Sequence, residues 1–354
     1  MRRESYTFIF RVKALVAFLM VHVLDFLRAC CGVLGVGRSF YVLFSSKFHH
    51  EQRAVFQGLQ AFRNHSRRGH NDYELRRCIH RIEKGLIMRP QRPIFALDYI
   101  VTAVSLYKAC VEAGCNDRSL QAWACDVLAA YFDVVQQHSI ISRARAIYIS
   151  VQVVRSTEDI IRVPATRGSQ LLEVPAYEQM LSLARQRRSI RWYQSRKVPR
   201  DLLDQAFMVA KLAPSACNRQ PFDFVIVDAD QELRDVLAVP GGTAGWSHSP
   251  PMAIVVVGHL DAFYEERDRH LIYIDGALSS MSLLFALECL GLSSCLINFP
   301  DIEEKNEAMR KILSLPESRV PVMVISVGFA DPEALVPFSE KKSLSGIRHY
   351  GVDR

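Results

Sequence analysis

Arg187-Arg188-Ser189-Ile190-Arg191 places three guanidiniums and a hydroxyl in five positions. Guanidiniums so close together repel one another unless an anion neutralises them. Arginine grips phosphate through a planar fork of donors, and Ser189 adds a hydroxyl donor to the same group. An apolar helix-like run, Tyr177 to Ala184, precedes the pentad, and a turn-like Tyr193-Gln194-Ser195 follows it. The plain alternative is a solvated basic helix end, since cations favour last turns. The next segment decides between them. Ala213-Pro214-Ser215-Ala216-Cys217-Asn218-Arg219-Gln220-Pro221-Phe222 follows a helix-like run and leads into a strand-like Phe222 to Val227. A Pro-Ser break, small residues and side-chain amides suit a tight loop laid against a planar polar ring.

These two motifs, about 25 residues apart, resemble those of the FMN-dependent nitroreductase family. Asp275-Gly276-Ala277-Leu278-Ser279-Ser280 through Gly291-Leu292 resembles that family's long central helix and its Gly-Leu ending. The resemblance covers residues 177–350. It implies an α+β nitroreductase-like fold: a mixed central sheet flanked by helices, with a long helix in a dimer interface. It also implies FMN as cofactor, NADH or NADPH as electron donor, and a homodimer.

The resemblance also assigns residues. Arg187 and Ser189, with Arg188 beside them and Lys341 helping from the tail, would hold the ribityl phosphate. Arg191 would lie near the pyrimidine edge, where positive charge favours the anionic reduced flavin. Pro214 and Ser215 would shape the loop beneath the ring, and Asn218 would hydrogen-bond its polar edge. Backbone groups around Asn298 and Phe299 would face its other polar atoms. Lys341 stands where the family's closing stretch usually has arginine, so it offers a point charge rather than a bidentate fork. No residue is assigned a catalytic acid or base role, and no metal is expected. Cys217, beside Asn218, reads as a small residue filling the loop, with an activated thiol as the alternative.

Composition sets the frame. The 354 residues are 49% hydrophobic and 23% charged, which predicts a packed core. A net charge of +7 suits an anionic cofactor or an anionic membrane surface. No zinc spacing or nucleic-acid module accompanies that charge, so no nucleic-acid partner is expected. Nine cysteines form no Cys-x-x-Cys pair, which points to a reduced, cytoplasmic setting.

Three regions follow. Residues 1–44 hold an apolar run, Phe8 to Leu27, interrupted by Arg11, Lys13, His22 and Asp25. Its uninterrupted part is too short to span a bilayer alone. It reads as an amphipathic helix packed on the protein or lying on a membrane surface, with a true span as a third reading. No small-x-small site marks a secretory signal. Residues 45–165 read as mainly helical. Asn71-Asp72 caps a helix over Tyr73 to Lys84, with Gly85 at its C-cap. Helical spacing recurs over Phe95 to Glu112 and Leu120 to Gln137, while Tyr148 to Val154 fits either helix or strand. Residues 161–176, with Pro164, Gly168 and Pro175, form a linker. The helical region resembles, more loosely, an N-terminal extension of nitroreductase-like proteins from bacterial polysaccharide gene clusters. It is expected to cover the flavin pocket.

His80 and Glu83 lie three apart on one helix face. They read as a structural pair, with a proton-transfer pair at the pocket mouth as the alternative. Two functions are therefore open. One is an FMN oxidoreductase working by ping-pong hydride transfer to a small-molecule acceptor: a nitroaromatic, a quinone or a polysaccharide-pathway intermediate. The other is a flavin-binding or flavin-free scaffold at a membrane or in a polysaccharide-assembly complex.

Overall fold

The computed structural model describes residues 48–69, 71–114, 117–151, 161–170 and 172–351. The expectations for residues 1–44 fall outside them. The chain divides into Met1–Arg53 and Ala54–Arg354. In the first unit the described residues are Phe48 and the start of helix α1 (His49–Arg67); everything below concerns the second.

Helix α2 (Asp72–Leu86) begins where the sequence predicts. Asn71 is its N-cap, its side-chain oxygen accepting the Glu74 N–H at 3.1 Å. Its buried face is Leu75, Cys78, Ile79 and Ile82, an i, i+3, i+4, i+7 stripe. Gly85 corrects an expectation: it lies inside the helix, and Ile87 is the C-cap. A Cβ at Gly85 would sit 2.2 Å from Phe95 Cε2, so the glycine serves close packing rather than termination.

Helices α3 (Ile100–Glu112), α4 (Arg118–Val134) and α5 (Ser139–Ile149) complete the helical region. The apolar run from Phe95 turns helical only at Ile100, because Ala96 takes φ 64°, which a right-handed helix forbids. Tyr148 and Ile149 close α5, settling the helical reading for that part of the ambiguous run. Tyr107, Leu128 and Tyr131 are enclosed in the shared core. Each such side chain contributes about 2–3 kcal/mol on burial. The described residues of 161–176 are irregular apart from one 3-10 turn, Arg167–Gln170.

After α6 (Tyr177–Gln186) and α7 (Arg200–Ala210) come β1 (Phe222–Val227), α8 (Asp230–Ala238), β2 (Met252–His259), α9 (Leu271–Cys289), β3 (Ser293–Asn298), α10 (Glu303–Ile312) and β4 (Arg319–Gly328). The strands are ordered β1-β2-β4-β3 with every neighbour antiparallel. A parallel bridge from Ser189 to Ser294 at the sheet's edge gives it mixed character. Strand β2 is buried at every position, as its unbroken apolar run predicts. One face packs Ile254 and Val256 against Leu203 of α7 and Leu283 of α9. The other packs Val255 and Val257 against Leu237 of α8 and Met309 of α10. Pro321 in β4 lacks an N–H, and the register shifts beside it between Val256 and Val257, which accommodates the missing donor.

Ala54, Val55 and Leu59 of α1 pack with Leu260, Phe263 and Ile272. Gly58 allows this, since a Cβ there would meet the Leu260 backbone at 2.7 Å. The segment Glu266–Cys289 is long and apolar enough to cross a membrane by length and composition. Half of it is buried, and α9 is the core helix of this fold. Its outer face exposes Ile274, Leu278 and Met281, spaced i, i+4, i+7.

Candidate functional site

The pentad lies beyond α6, not in its last turn. Arg187 caps the helix in an extended conformation (ψ 116°) and the chain runs on beside β3. Ser189 bridges Ser294, and the Ile190 N–H donates to the Ser294 carbonyl at 3.0 Å. Tyr193 anchors the other end. Its hydroxyl donates to the Ile190 carbonyl at 2.7 Å and meets Ser326 Oγ at 2.8 Å. Gly328 makes room for that ring, because a Cβ there would lie 2.7 Å from it.

Within this frame the arginines differ. Arg187 Nε is buried without a hydrogen-bond partner. Arg188 donates to the Pro337 and Phe338 carbonyls and so draws the tail to the pentad. Arg191 donates to the Ser189 carbonyl at 3.3 Å and lies over the Trp246 ring at 5.9 Å. Lys341, farther along the tail, is exposed. Two neighbours went unread in the sequence. Burial pushes the Glu288 carboxyl up, against a hydrogen bond from Gln186 and the charge of Arg187. Burial likewise pushes up the Cys295 thiol, while Arg191, Ser189 and Arg187 pull it back. Both became neighbours through long-range packing, which no local spacing signals.

The loop after α7 forms the second half. Gln220 ties it together: its N–H donates to Ser215 Oγ at 3.1 Å and its Nε2 to Asn218 Oδ1 at 3.1 Å. The Asn218 N–H donates to the Ser215 carbonyl at 3.0 Å. Cys217, Asn218 and Gln220 all take left-handed backbone, with φ 53°, 52° and 52°. Non-glycine residues held there store roughly 1 kcal/mol or more each, and such strain gathers at ligand sites. The loop is held from below by Asp275 of α9, which accepts the Ala216 N–H at 3.0 Å. The loop also packs against α2, so the helical region backs it.

The structure separates what the sequence grouped. Pro214, Ser215 and Asn218 sit with Asp275 near the start of α9. Arg187, Arg188, Ser189 and Arg191 sit with Glu288 near its end, beside the first residues of β3. From Asp275 to Glu288 is thirteen residues, or about 20 Å along the helix. Asn298 ends β3 with its side chain exposed, while the Phe299 side chain is buried in the core and leaves only backbone to offer. His80 Nδ1 lies 3.6 Å from Glu83 Oε2, and Glu83 Oε1 accepts the Trp123 indole N–H at 2.9 Å. Glu83 thus joins α2 to α4, and His80 sits beside it on the same face of α2. Among the described residues no group of three or more His, Cys, Asp or Glu is placed to hold a metal.

The site is thus a cationic edge and a strained amide loop on an α+β sheet. The model described as the Nitroreductase family matches residues 184–240 and 240–329. A protein named putative NADH dehydrogenase/NAD(P)H nitroreductase from Methanothermobacter thermautotrophicus is 31% identical over 151 residues, 42% of this chain and 76% of that one. A protein of the same name from Archaeoglobus fulgidus is 30% identical over 156 residues, covering 44% and 88%. A solved structure named for the same activity, from Parabacteroides distasonis, is 27% identical with a TM-score of 0.44, covering 49% of this chain and 98% of that one. The chain belongs to the nitroreductase family of oxidoreductases.

Proposed function

We propose that the protein is an FMN-dependent oxidoreductase, driven by NADH or NADPH, whose flavin site is completed by a second copy of the chain. The observation that carries this reading is the split site. Two half-sites lie at opposite ends of α9, and the apolar stripe Ile274, Leu278, Met281 runs between them. A two-fold axis across that stripe would set the pentad of one copy against the loop of the other, since an isologous contact pairs each patch with its counterpart.

The residues present fit FMN. Arg187 has a buried donor without a partner, which a phosphate would satisfy. Ser189 and Lys341 would add a hydroxyl and a charge. Arg191 would hold positive charge near the pyrimidine edge, and Asn218 would present its amide to the polar edge of the ring. Pro214 and Ser215 would form the surface beneath it. Asn298 and Phe299 would contribute backbone groups. Bound FMN supplies two-electron hydride chemistry, and the protein supplies binding, orientation and tuning. The acceptor in this reading is a small molecule able to lie flat, a nitroaromatic or a quinone. Relatives named as NAD(P)H nitroreductases support donor and acceptor class alike. Six free cysteines among the described residues, four of them buried, suit a reducing cytoplasm.

The test is an absorbance spectrum of the purified protein, followed by anaerobic addition of NADH and then NADPH. A flavin spectrum that bleaches is expected. Sedimentation of the Leu278→Glu, Met281→Glu double variant should show monomers that have lost FMN. Monomers retaining FMN at full affinity would refute the shared site, and a protein that takes up no FMN would refute the whole reading.

A further inference from the structure

A separate cleft of about 930 Å³ opens where α2 faces β1 and α7. That volume lies in the range of small-molecule sites, and so does its make-up: an apolar wall with a few polar groups. Phe207 and Met208 of α7 and Phe224 of β1 form the wall. Phe207 and Phe224 pack ring to ring at 5.1 Å with their planes tilted by 51°, which gives the wall an angled aromatic corner against which one face of a planar ring can stack.

The floor is built and fixed. Tyr73 meets His259 Nδ1 at 2.6 Å, and His259 Nε2 lies 2.9 Å from Asp223 Oδ2. Arg319 donates to the Tyr73 hydroxyl at 3.2 Å and to Asp261 at 3.1 Å. With Arg319 donating to it, the Tyr73 O–H is left to donate to His259 Nδ1, and Nε2–H then faces Asp223. This network commits Asp223. Arg76, also on the wall, is committed to Asp117 at 2.6 Å.

What remains uncommitted is chiefly cationic. Lys211 stands exposed at the rim, and Asp204, which also lines the cleft, lies two turns earlier on the same face of the helix. Arg219 lines the cleft at 3% exposure, its Nε has no partner, and its ion pair to Asp268 is stretched to 4.0 Å. Its guanidinium rests over Phe263 at 5.2 Å and Tyr264 at 5.9 Å. Asp275 and Glu74 also act on its charge, but its Nε donor still lacks a hydrogen-bond partner, and an anion in the cleft would satisfy it.

We propose that this cleft is a second small-molecule site, one that takes a planar aromatic carrying a single anionic group. The ring would lie on Phe207, Phe224 and Met208, and the anion would face Arg219 and Lys211. The proposal does not depend on the flavin reading, although the cleft adjoins the flavin loop through Gln220. Nothing in the pentad takes part.

The experiment is calorimetric titration of the full-length protein, as purified, with 2-naphthoate, using 2-naphthylmethanol as neutral control. Expected is one saturable site per chain, with the carboxylate binding at least tenfold more tightly than the alcohol. Lys211→Glu and Arg219→Gln should each weaken naphthoate about tenfold, equivalent to ~1.4 kcal/mol, and Lys211→Glu should leave flavin content unchanged. Lys211 is exposed, so its variant keeps the test valid even where Arg219→Gln fails to fold. Equal binding of acid and alcohol would overturn the proposal, as would binding untouched by Lys211→Glu. Displacement of naphthoate by added FMN would place it in the flavin site and overturn the second site alone.

Discussion

Asp275 holds the Ser215–Gln220 loop, and two substitutions divide its roles. Its side chain is 2% exposed, accepts the Ala216 N–H at 3.0 Å and faces Arg219. Burial pushes its carboxyl above the usual range, and the Ala216 hydrogen bond and Arg219 only partly offset this. The charge is thus a burden at this site, and the acceptor oxygen is the asset. Asp275→Asn keeps an acceptor of the same shape and removes the charge, so its stability should stay within about 1 kcal/mol of the parent. Asp275→Ala leaves the Ala216 N–H unsatisfied, at about 1–3 kcal/mol, and opens a small void besides, so a loss of roughly 2–4 kcal/mol is expected. Thermal unfolding of the three proteins side by side at neutral pH reads the difference. Loss of FMN on dilution should track it, with the alanine variant releasing flavin first. The pH dependence supplies a sign. A carboxyl raised in the folded state adds stability that is fully present below its unfolded value, about 3.9, and lost as pH rises through the raised one. The asparagine variant lacks this titration, so its stability relative to the parent should grow across that acidic window and then level off. An alanine variant as stable as the parent would refute the hydrogen-bond argument. An asparagine variant as damaged as alanine would show instead that the charge is required.

Other perturbations test the packing around the site. Gly85→Ala should destabilise by about 1–2 kcal/mol, because overpacking against Phe95 outweighs a helix-propensity gain of about 1 kcal/mol; a stabilised protein in thermal melts would contradict the close contact. Combined with Phe95→Leu, the same substitution should become neutral or stabilising. Glu83→Ala removes the acceptor of the Trp123 N–H and should cost about 1–2 kcal/mol, whereas His80→Ala should cost under about 0.5 kcal/mol and leave NAD(P)H oxidation intact; a large loss of turnover in His80→Ala would restore a proton-transfer role. Arg188→Ala removes the donors to the Pro337 and Phe338 carbonyls, so limited proteolysis should cut the tail sooner while the core stays resistant; an unchanged digestion pattern would show that the tail is held by other contacts.

The two central strands, β2 and β4, were legible because burial on both faces imposes a nearly unbroken apolar run. Met252–His259 carries that signature and is buried throughout. The Asn71 cap was legible because a side chain that caps its own helix acts within three residues. Features set by distant partners were not. Gly85 has the sequence of a helix terminator, yet what demands a glycine is a ring ten residues away. The pentad has the composition of a basic helix end, yet pairing with Ser294 draws it into an extended course. Arg219 was readable as part of a motif, but its burial against Phe263 and Tyr264 follows only from the folded chain.

The same reasoning explains why α9 has no polar face. A surface helix of a soluble protein normally alternates an apolar stripe with a polar one. In α9 the inner stripe, Ile272, Leu283 and Leu287, meets the sheet and α7. The opposite stripe, Ile274, Leu278 and Met281, is apolar and exposed. Exposing such a row has a cost that natural monomers avoid by placing charges there. A lipid occupant is disfavoured, since the inner stripe and the buried Asp275 already commit the helix to a protein core. In the dimer proposed above, a second copy would remove the cost, and the same contact would bring each pentad to the loop that its own chain keeps about 20 Å away along the helix. On this argument dimer formation and flavin binding share one surface. Substitutions along the stripe should therefore lower both together, whereas substitutions in the pentad should lower flavin binding alone.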